Sequence, residues 1–307
     1  MGETVRHDGV VRIVSLLPSA TEIAFDLGLG DSLVGVTHEC DYPPEATTKA
    51  VVSHSTLPSD ATDPAEIDRL VAGSIGEGEP IYRLDTEQFA RLQPDVILTQ
   101  DLCRVCAVPT GHVEDALDTL GCSADVVSLD PSSIDEVIDC LVVVGRATGT
   151  VDRAEARAAE LRRRVDAVRR AGTGLARPRT LALEWSDPPF NGGHWVPEMI
   201  EVAGGTAVLG DAGAPSRRLL WSEIEIAAPE LVVFMPCGYG LDQAVTEGRQ
   251  LLGRTELAGA SAVFAVDATS YFSRPGPRLV DGVEILAWAL HPDSLPGPSP
   301  GCVQQLR

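Results

Sequence analysis

Two cysteines separated by two residues in Gln100-Asp101-Leu102-Cys103-Arg104-Val105-Cys106-Ala107-Val108-Pro109, and the run His38-Glu39-Cys40, carry the side chains whose types could do chemistry. Thiolate and imidazole suit soft and borderline metals. His38, Cys40, Cys103 and Cys106 together could hold zinc, with His54 and His194 as further candidates. The three cysteines could hold an iron–sulfur cluster with one open iron. They could equally give axial ligation to the metal of a corrinoid or haem. A redox pair is the second reading, but it needs its first cysteine at a helix N-terminus, where the dipole lowers the thiol pKa. Pro109 and Gly111 set the start of the next helix after both cysteines. The third reading is that these small thiols pack the loops and touch no metal.

Composition narrows the setting. The chain has 307 residues, 44% hydrophobic and 22% charged, enough for one large or two medium domains. Its formal net charge of −21 repels phosphate backbones and anionic lipid, so nucleic acid and membrane surfaces are poor partners. No run of about 18 apolar residues could span a bilayer. The N-terminal MGETVRHDGVVRIVSLLPSATE has neither the basic start nor the unbroken apolar core of a secretory signal. A cytoplasmic protein is expected, extracytoplasmic only if a leader has been removed. Seven cysteines in a reducing compartment point to metal, ligand or redox roles or core packing, not to a disulfide framework.

Short apolar runs alternate with helix-length segments. Strands are expected over residues 12–18, 32–37, 95–99, 125–129, 179–185, 231–236 and 263–268. Ser19-Ala20-Thr21-Glu22 offers capping residues for a helix ending near Gly28 or Gly30. Residues 133–149 form a helix with Ile134, Val137, Ile138 and Leu141 on one face, and 277–290 a closing helix. Residues 151–171 contain no Gly or Pro and make a helix of roughly 30 Å. Strand–helix alternation builds a mostly parallel sheet covered on both faces. The segment Leu92-Gln93-Pro94-Asp95-Val96-Ile97-Leu98 is echoed by Ala227-Ala228-Pro229-Glu230-Leu231-Val232-Val233. The fold predicted is α/β: two Rossmann-like lobes with mostly parallel sheets, bridged by one long helix, with a ligand cleft between them. The lobes span residues 11–150 and 178–291, the helix 151–172, and residues 1–10 and 292–307 are flexible tails.

Ligands of open α/β sheets bind beyond the carboxyl ends of the strands. Those places hold His38, Glu39, Cys40 and Tyr42, then Gln100, Cys103 and Cys106, then Glu184, Trp185, Phe190, His194 and Trp195. Cys237 and Tyr239 follow the 231–236 run, and Tyr271, Phe272 and Arg274 the last strand. In a chain only 5% aromatic, this concentration on loops suits a flat or bulky ligand. The plainer reading is that a share of them wedge the loops against the sheets.

The segments Arg12-Ile13-Val14-Ser15-Leu16-Leu17-Pro18-Ser19-Ala20-Thr21-Glu22, Gly35-Val36-Thr37 with Asp41-Tyr42-Pro43-Pro44, Pro94-Asp95-Val96-Ile97 and Asp187-Pro188-Pro189-Phe190 carry a family resemblance. With Tyr271-Phe272-Ser273-Arg274-Pro275-Gly276-Pro277-Arg278, they resemble the vitamin B12-binding substrate-binding proteins. These belong to the helical-backbone metal-receptor class of ABC-importer binding proteins, which also takes siderophores and haem. The resemblance runs over roughly residues 11–291. It implies two lobes and a spine helix, and docking onto permease arginines through Glu87 and Glu223. It also implies aromatic residues at the places of Glu39, Ser55 and Gln100, where this chain has none, while Phe190 and Tyr271 keep their aromatic character.

The function expected is a binding protein, not an enzyme, holding a corrinoid or another metal chelate (cobalamin, haem or siderophore-like) in the cytoplasm. Its ligand set is Glu39, Tyr42, Gln100, Trp185, Phe190, His194, Trp195, Tyr271, Phe272 and Arg274. One alternative is a metal- or iron–sulfur-dependent enzyme using His38, Glu39, Glu184 and His194 for acid–base work. The other is an exported ABC-importer receptor, with a permease partner, whose leader is missing. No GxGxxG, GxxxxGK[ST] or Ser-His-Asp pattern supports dinucleotide, nucleotide or acyl-transfer chemistry.

Overall fold

The computed structural model describes residues 10–58, 63–77, 81–101, 110–120 and 123–307. They fall into two compact units, Met1–Asp130 with Ile138–Ala158, and Pro131–Val137 with Ala159–Arg307.

The first unit runs β1 (Ile13–Ser15), α1 (Pro18–Asp26), β2 (Leu33–Thr37), β3 (Ala50–Ser55), α2 (Pro64–Glu77), β4 (Tyr82–Leu84), α3 (Thr86–Leu92), β5 (Val96–Thr99), α4 (Thr110–Leu120) and β6 (Asp125–Ser128). Its sheet has the order β4-β3-β2-β1-β5-β6. All neighbours are parallel except β3 and β4. β1 and β5 are buried along their whole length, as strands covered on both faces must be. Val14, Leu16, Val52 and Ile97 pack under Phe89, Val113 and Leu117 of α3 and α4.

α5 (Ile134–Thr148) and α6 (Val151–Ala171) contribute to both units. α6 has the bounds expected of it. Ala154, Ala158, Leu161, Val165 and Val168 are buried, a stripe at alternating spacings of four and three. Its arginines tie it down on either side of that stripe. Arg157 meets Asp26 at 2.7 Å, Arg162 meets Asp135 at 3.1 Å, and Arg164 binds both Asp281 and Glu284.

The second unit runs β7 (Arg179–Ser186), β8 (Pro189–Asn191), α7 (Val196–Val202), β9 (Thr206–Ala207), α8 (Trp221–Ala227), β10 (Leu231–Phe234), α9 (Leu241–Leu251), β11 (Ala262–Val266), α10 (Ala268–Tyr271), α11 (Leu279–Leu290) and β12 (Val303–Gln305). The sheet order is β12-β11-β10-β7-β8, with β9 parallel to β7 at its start. β10 lies parallel to both β7 and β11, while β8 and β12 are antiparallel edges. Leu181, Leu183, Val232, Phe234 and Val263 form its core with Ile224, Leu251 and Leu257.

Some expectations change. Residues 12–18 hold a strand of three residues, and α1 already begins at Pro18, whose fixed φ suits a first helical position. The tail expected over 292–307 instead carries β12, and Arg307 donates to the carbonyls of Leu257 and Leu252. Cys302, placed by sequence in that tail, is buried. The N-terminal tail lies outside the described residues up to residue 9.

The short echo between the halves proves to be one structural device used twice. α3 and α8 end in residues with left-handed backbones, Gln93 (φ 43, ψ 63) and Ala228 (φ 44, ψ 63), each followed by proline and an acid. The acid accepts from the residue that opens the first strand: Arg12 N–H to Asp95 at 2.8 Å, Arg179 N–H to Glu230 at 2.7 Å. The same arginines donate from their guanidinium groups to the last helical carbonyls, of Leu92 (2.8 Å) and Ala227 (2.6 Å). Each acid's own N–H returns to the arginine carbonyl at 2.8 Å. A left-handed residue with a Cβ costs about 1–2 kcal/mol, more than the roughly 0.5–1 kcal/mol of extra chain entropy glycine brings. Ala228→Gly is therefore expected to stabilise the protein by about 0.5–1 kcal/mol, and a urea midpoint at or below that of the wild type would refute it.

Candidate ligand-binding site

Strand order reverses between β1 and β5 in the first sheet and between β7 and β10 in the second. In open α/β sheets these switch points, at the carboxyl ends, are where ligands bind.

In the first unit Gln100 directly follows β5, beside the end of β1. It is 4% exposed, and its amide oxygen has no hydrogen-bond partner among the described residues. His38, Glu39 and Cys40 follow β2. His38 stacks on His54 (centroids 6.2 Å, planes at 29°) and lies 6.1 Å from the ring of Tyr82. The Tyr82 hydroxyl points at the Glu39 carboxylate from 3.4 and 3.5 Å. Cys40 faces inward and is 4% exposed. Its sulfur lies 3.0 Å from Thr21 Oγ1, which donates to Ser15 Oγ, which donates to the Leu17 carbonyl. Thr21 has one hydroxyl proton and spends it on Ser15, so the thiol is the donor that heads this chain. Cys103 and Cys106 lie outside the described residues, and α4 starts at Thr110, beyond both. Among the described residues no group of three His, Cys, Asp or Glu side chains is placed to hold a metal ion. Tyr42 is exposed.

In the second unit Glu184 and Trp185 close β7, and Cys237 and Tyr239 follow β10. Trp185 and Tyr239 meet edge to face at 5.5 Å and 68°, a preferred geometry for paired π-systems. Phe190 on β8 has the Arg218 guanidinium 5.7 Å above its ring. The Glu184 carboxylate accepts from Gly193 N–H at 3.1 Å and so anchors the loop after β8. His194 in that loop has φ 51 and is pinned through Ala214 and Gly213. Burial holds its imidazole below the usual histidine range, and its buried Nδ1 has no hydrogen-bond partner among the described residues.

Because the folded pKa of His194 is lowered, the unfolded chain takes up the proton first as pH falls. Stability from this group is intact above about pH 6.5 and is lost as pH falls from there through the folded value. His194→Asn, which tolerates the left-handed backbone, is expected to flatten the stability curve between about pH 5 and 7. A curve that keeps its wild-type slope would reject the assignment.

Three residues of the expected ligand set are placed elsewhere. Trp195 is 6% exposed and donates from Nε1 to the Phe272 carbonyl at 2.9 Å, and Phe272 itself is 2% exposed. Both are core residues. Tyr271 lines a cavity of about 550 Å³ with Arg164, Asp281, Glu284 and Cys302. Burial and the neighbouring Cys302 and Asp267 raise its phenol pKa. Arg274 is half-buried in the turn before α11, where its carbonyl accepts from Gly276 N–H. Sequence reasoning put Tyr239 among the loop aromatics but left it out of the ligand set. It named His54 only as a spare metal candidate and missed Tyr82 as a partner of His38, because β3 and the antiparallel β4 gave no clear strand signal. A weak one for β3 was present in Val51-Val52.

The docking glutamates differ from each other. Glu87 on α3 is 84% exposed and, among the described residues, pairs only with Arg91 one turn on, at 3.3 Å. Glu223 on α8 accepts from Leu220 N–H (2.7 Å) and from Arg217 (3.0 Å). The Leu220 bond first and Arg217 second hold its carboxyl below the usual range.

Aromatic rings and polar groups stand at the carboxyl ends of the strands in both mostly parallel sheets, where open α/β sheets take their ligands. Residues 13–264 match the family described as periplasmic binding protein, and the chain belongs to that family. The vitamin B12-binding protein of Vibrio cholerae serotype O1 is 24% identical over 281 residues, 89% of this chain and 86% of that one. The cobalamin-binding protein of Halobacterium salinarum is 28% identical over 287 residues, 91% of this chain and 69% of that one. Among solved structures, periplasmic vitamin B12-binding protein BtuF of Vibrio cholerae shares the fold (TM-score 0.66, 23% identity, 91% and 96% of the chains). So does periplasmic heme-binding protein RhuT from Roseiflexus sp. RS-1 (TM-score 0.67, 24% identity, 92% and 99%). The family's description gives the cytoplasmic expectation no support. No helix of the described residues is long and apolar enough to cross a membrane.

Proposed function

We propose that this chain is a substrate-binding protein for a tetrapyrrole-type metal chelate, cobalamin or a relative, taken up by the loops at the carboxyl ends of its strands. The observation that carries this reading is the Trp185–Tyr239 pair at the second sheet's switch point, two rings meeting edge to face that offer apolar faces and polar edges to a bulky conjugated ligand. Phe190 beneath Arg218 adds a third ring, from the adjoining strand. Relatives named for vitamin B12 and heme support the ligand class. An importer permease is the partner this reading carries. Glu87 is the more available docking carboxylate, since an exposed pair within one helix is worth only about 0.3–0.5 kcal/mol. That role needs export, and fractionation of expressing cells measures it.

Titration with cyanocobalamin and with haemin, followed by tryptophan fluorescence and by visible absorption, tests the binding. At least one is expected to bind at micromolar or lower concentration, with Trp185→Ala weakening it about tenfold or more. No quenching, no spectral change and no thermal shift with either chelate would remove the proposal.

A further inference from the structure

A buried amide oxygen with no partner costs about 1–3 kcal/mol, and native structures seldom keep one without a use. Gln100 carries such an oxygen, at the first position after β5, where the order of its sheet reverses. An acceptor held unsatisfied at the carboxyl end of a switch-point strand, where such sheets take their ligands, is suited to a donor on the ligand. The surrounding charge points the same way. The loops leaving β2, β5 and β6 carry four acids, Glu39, Asp41, Asp101 and Asp130, against a single Arg, Arg104, which lies outside the described residues, before the next helical element. A chelate edged with carboxylates would meet like charge there, in a chain whose net charge is already −21.

We propose that Gln100 is a specificity-determining residue whose amide oxygen accepts a hydrogen bond from an N–H at the rim of the chelate. The ligand selected is then one edged with carboxamides, a corrinoid, and not one edged with carboxylates, such as haem. This rests on the tetrapyrrole reading above and refines it. At neutral pH a porphyrin's propionates offer no donor, whereas each carboxamide of a corrinoid offers two.

Three ligands on wild-type protein separate the possibilities: cyanocobalamin, cobyrinic acid (a corrin bearing carboxylates in place of carboxamides) and haemin. Cyanocobalamin is expected to bind about 10–100-fold more tightly than either of the others. Gln100→Leu, which removes the acceptor, is expected to weaken cyanocobalamin by about the same factor and to leave cobyrinic acid almost unchanged. Gln100→Glu keeps an acceptor and is expected to retain cyanocobalamin within about tenfold, while weakening cobyrinic acid further. Cobyrinic acid or haemin binding as tightly as cyanocobalamin would overturn this proposal and leave the tetrapyrrole reading standing. So would a Gln100→Leu variant with wild-type affinity. Binding of none of the three overturns both. If Gln100→Leu fails to fold by its thermal melt, the wild-type comparison of the three ligands still decides.

Discussion

Trp195→Ala is expected to lower stability by about 4 kcal/mol while leaving ligand affinity of the folded protein within about twofold of wild type. The indole is buried, and its Nε1 donates to the Phe272 carbonyl at 2.9 Å. Truncation removes a large packed ring, leaves a void and orphans a buried acceptor. Trp195→Phe keeps most of the packing and loses the donor, so about 1–3 kcal/mol is expected for it. Trp185→Ala should behave in the opposite way. Trp185 is only half-buried and pairs with Tyr239 at the end of its sheet, so its loss is expected to fall on affinity and little on stability. Urea unfolding and chelate titration of the three variants check this. A stable Trp195→Ala with lost affinity would return Trp195 to the ligand set.

Gly193→Ala is expected to cost about 3 kcal/mol. A Cβ at this position would lie 2.2 Å from the Ser216 nitrogen, 2.8 Å from its Cα and 2.9 Å from the Pro215 carbonyl carbon. All three are backbone atoms, so no rotamer change relieves the clash. The loop would have to shift, taking with it the Gly193 N–H bond to Glu184 and the bonds that pin His194. Gly259→Ala is the control. A Cβ there meets nothing within 4 Å and its φ is not left-handed, so a change within about 0.5 kcal/mol is expected. Thermal melts of both variants test the contrast, and equal shifts would show that the loop yields easily.

Much of the fold was legible because local patterns encode it. α6 has no Gly or Pro between Gly149 and Gly172, and its bounds follow from that alone. Apart from β3, the central parallel strands are short apolar runs closed by polar residues, and these were found within a few residues of their ends. The Pro–acid echo marked a repeated device, although its arginine partners, 83 and 51 positions from the acids, could be seen only when folded. The antiparallel edge strands were not legible. β4 and β12 gain their place by pairing with β3 and β11, distant in sequence, and neither carries a buried run of its own.

The candidate site divides along the same line. By itself, the sequence determined which loops collect aromatic, thiol and acidic side chains, because loop positions follow from where the strands end. Only the tertiary structure decided what each side chain meets. It turned Cys40 onto the Thr21–Ser15 hydroxyl chain, Trp195 and Phe272 into the core, and Tyr271 toward the cavity beside α6 and α11. It left the oxygen of Gln100 buried and, among the described residues, unpaired. The physical reason is that a strand's alternation fixes its side chains locally, whereas the direction of a loop side chain is set by contacts with residues far away in the chain.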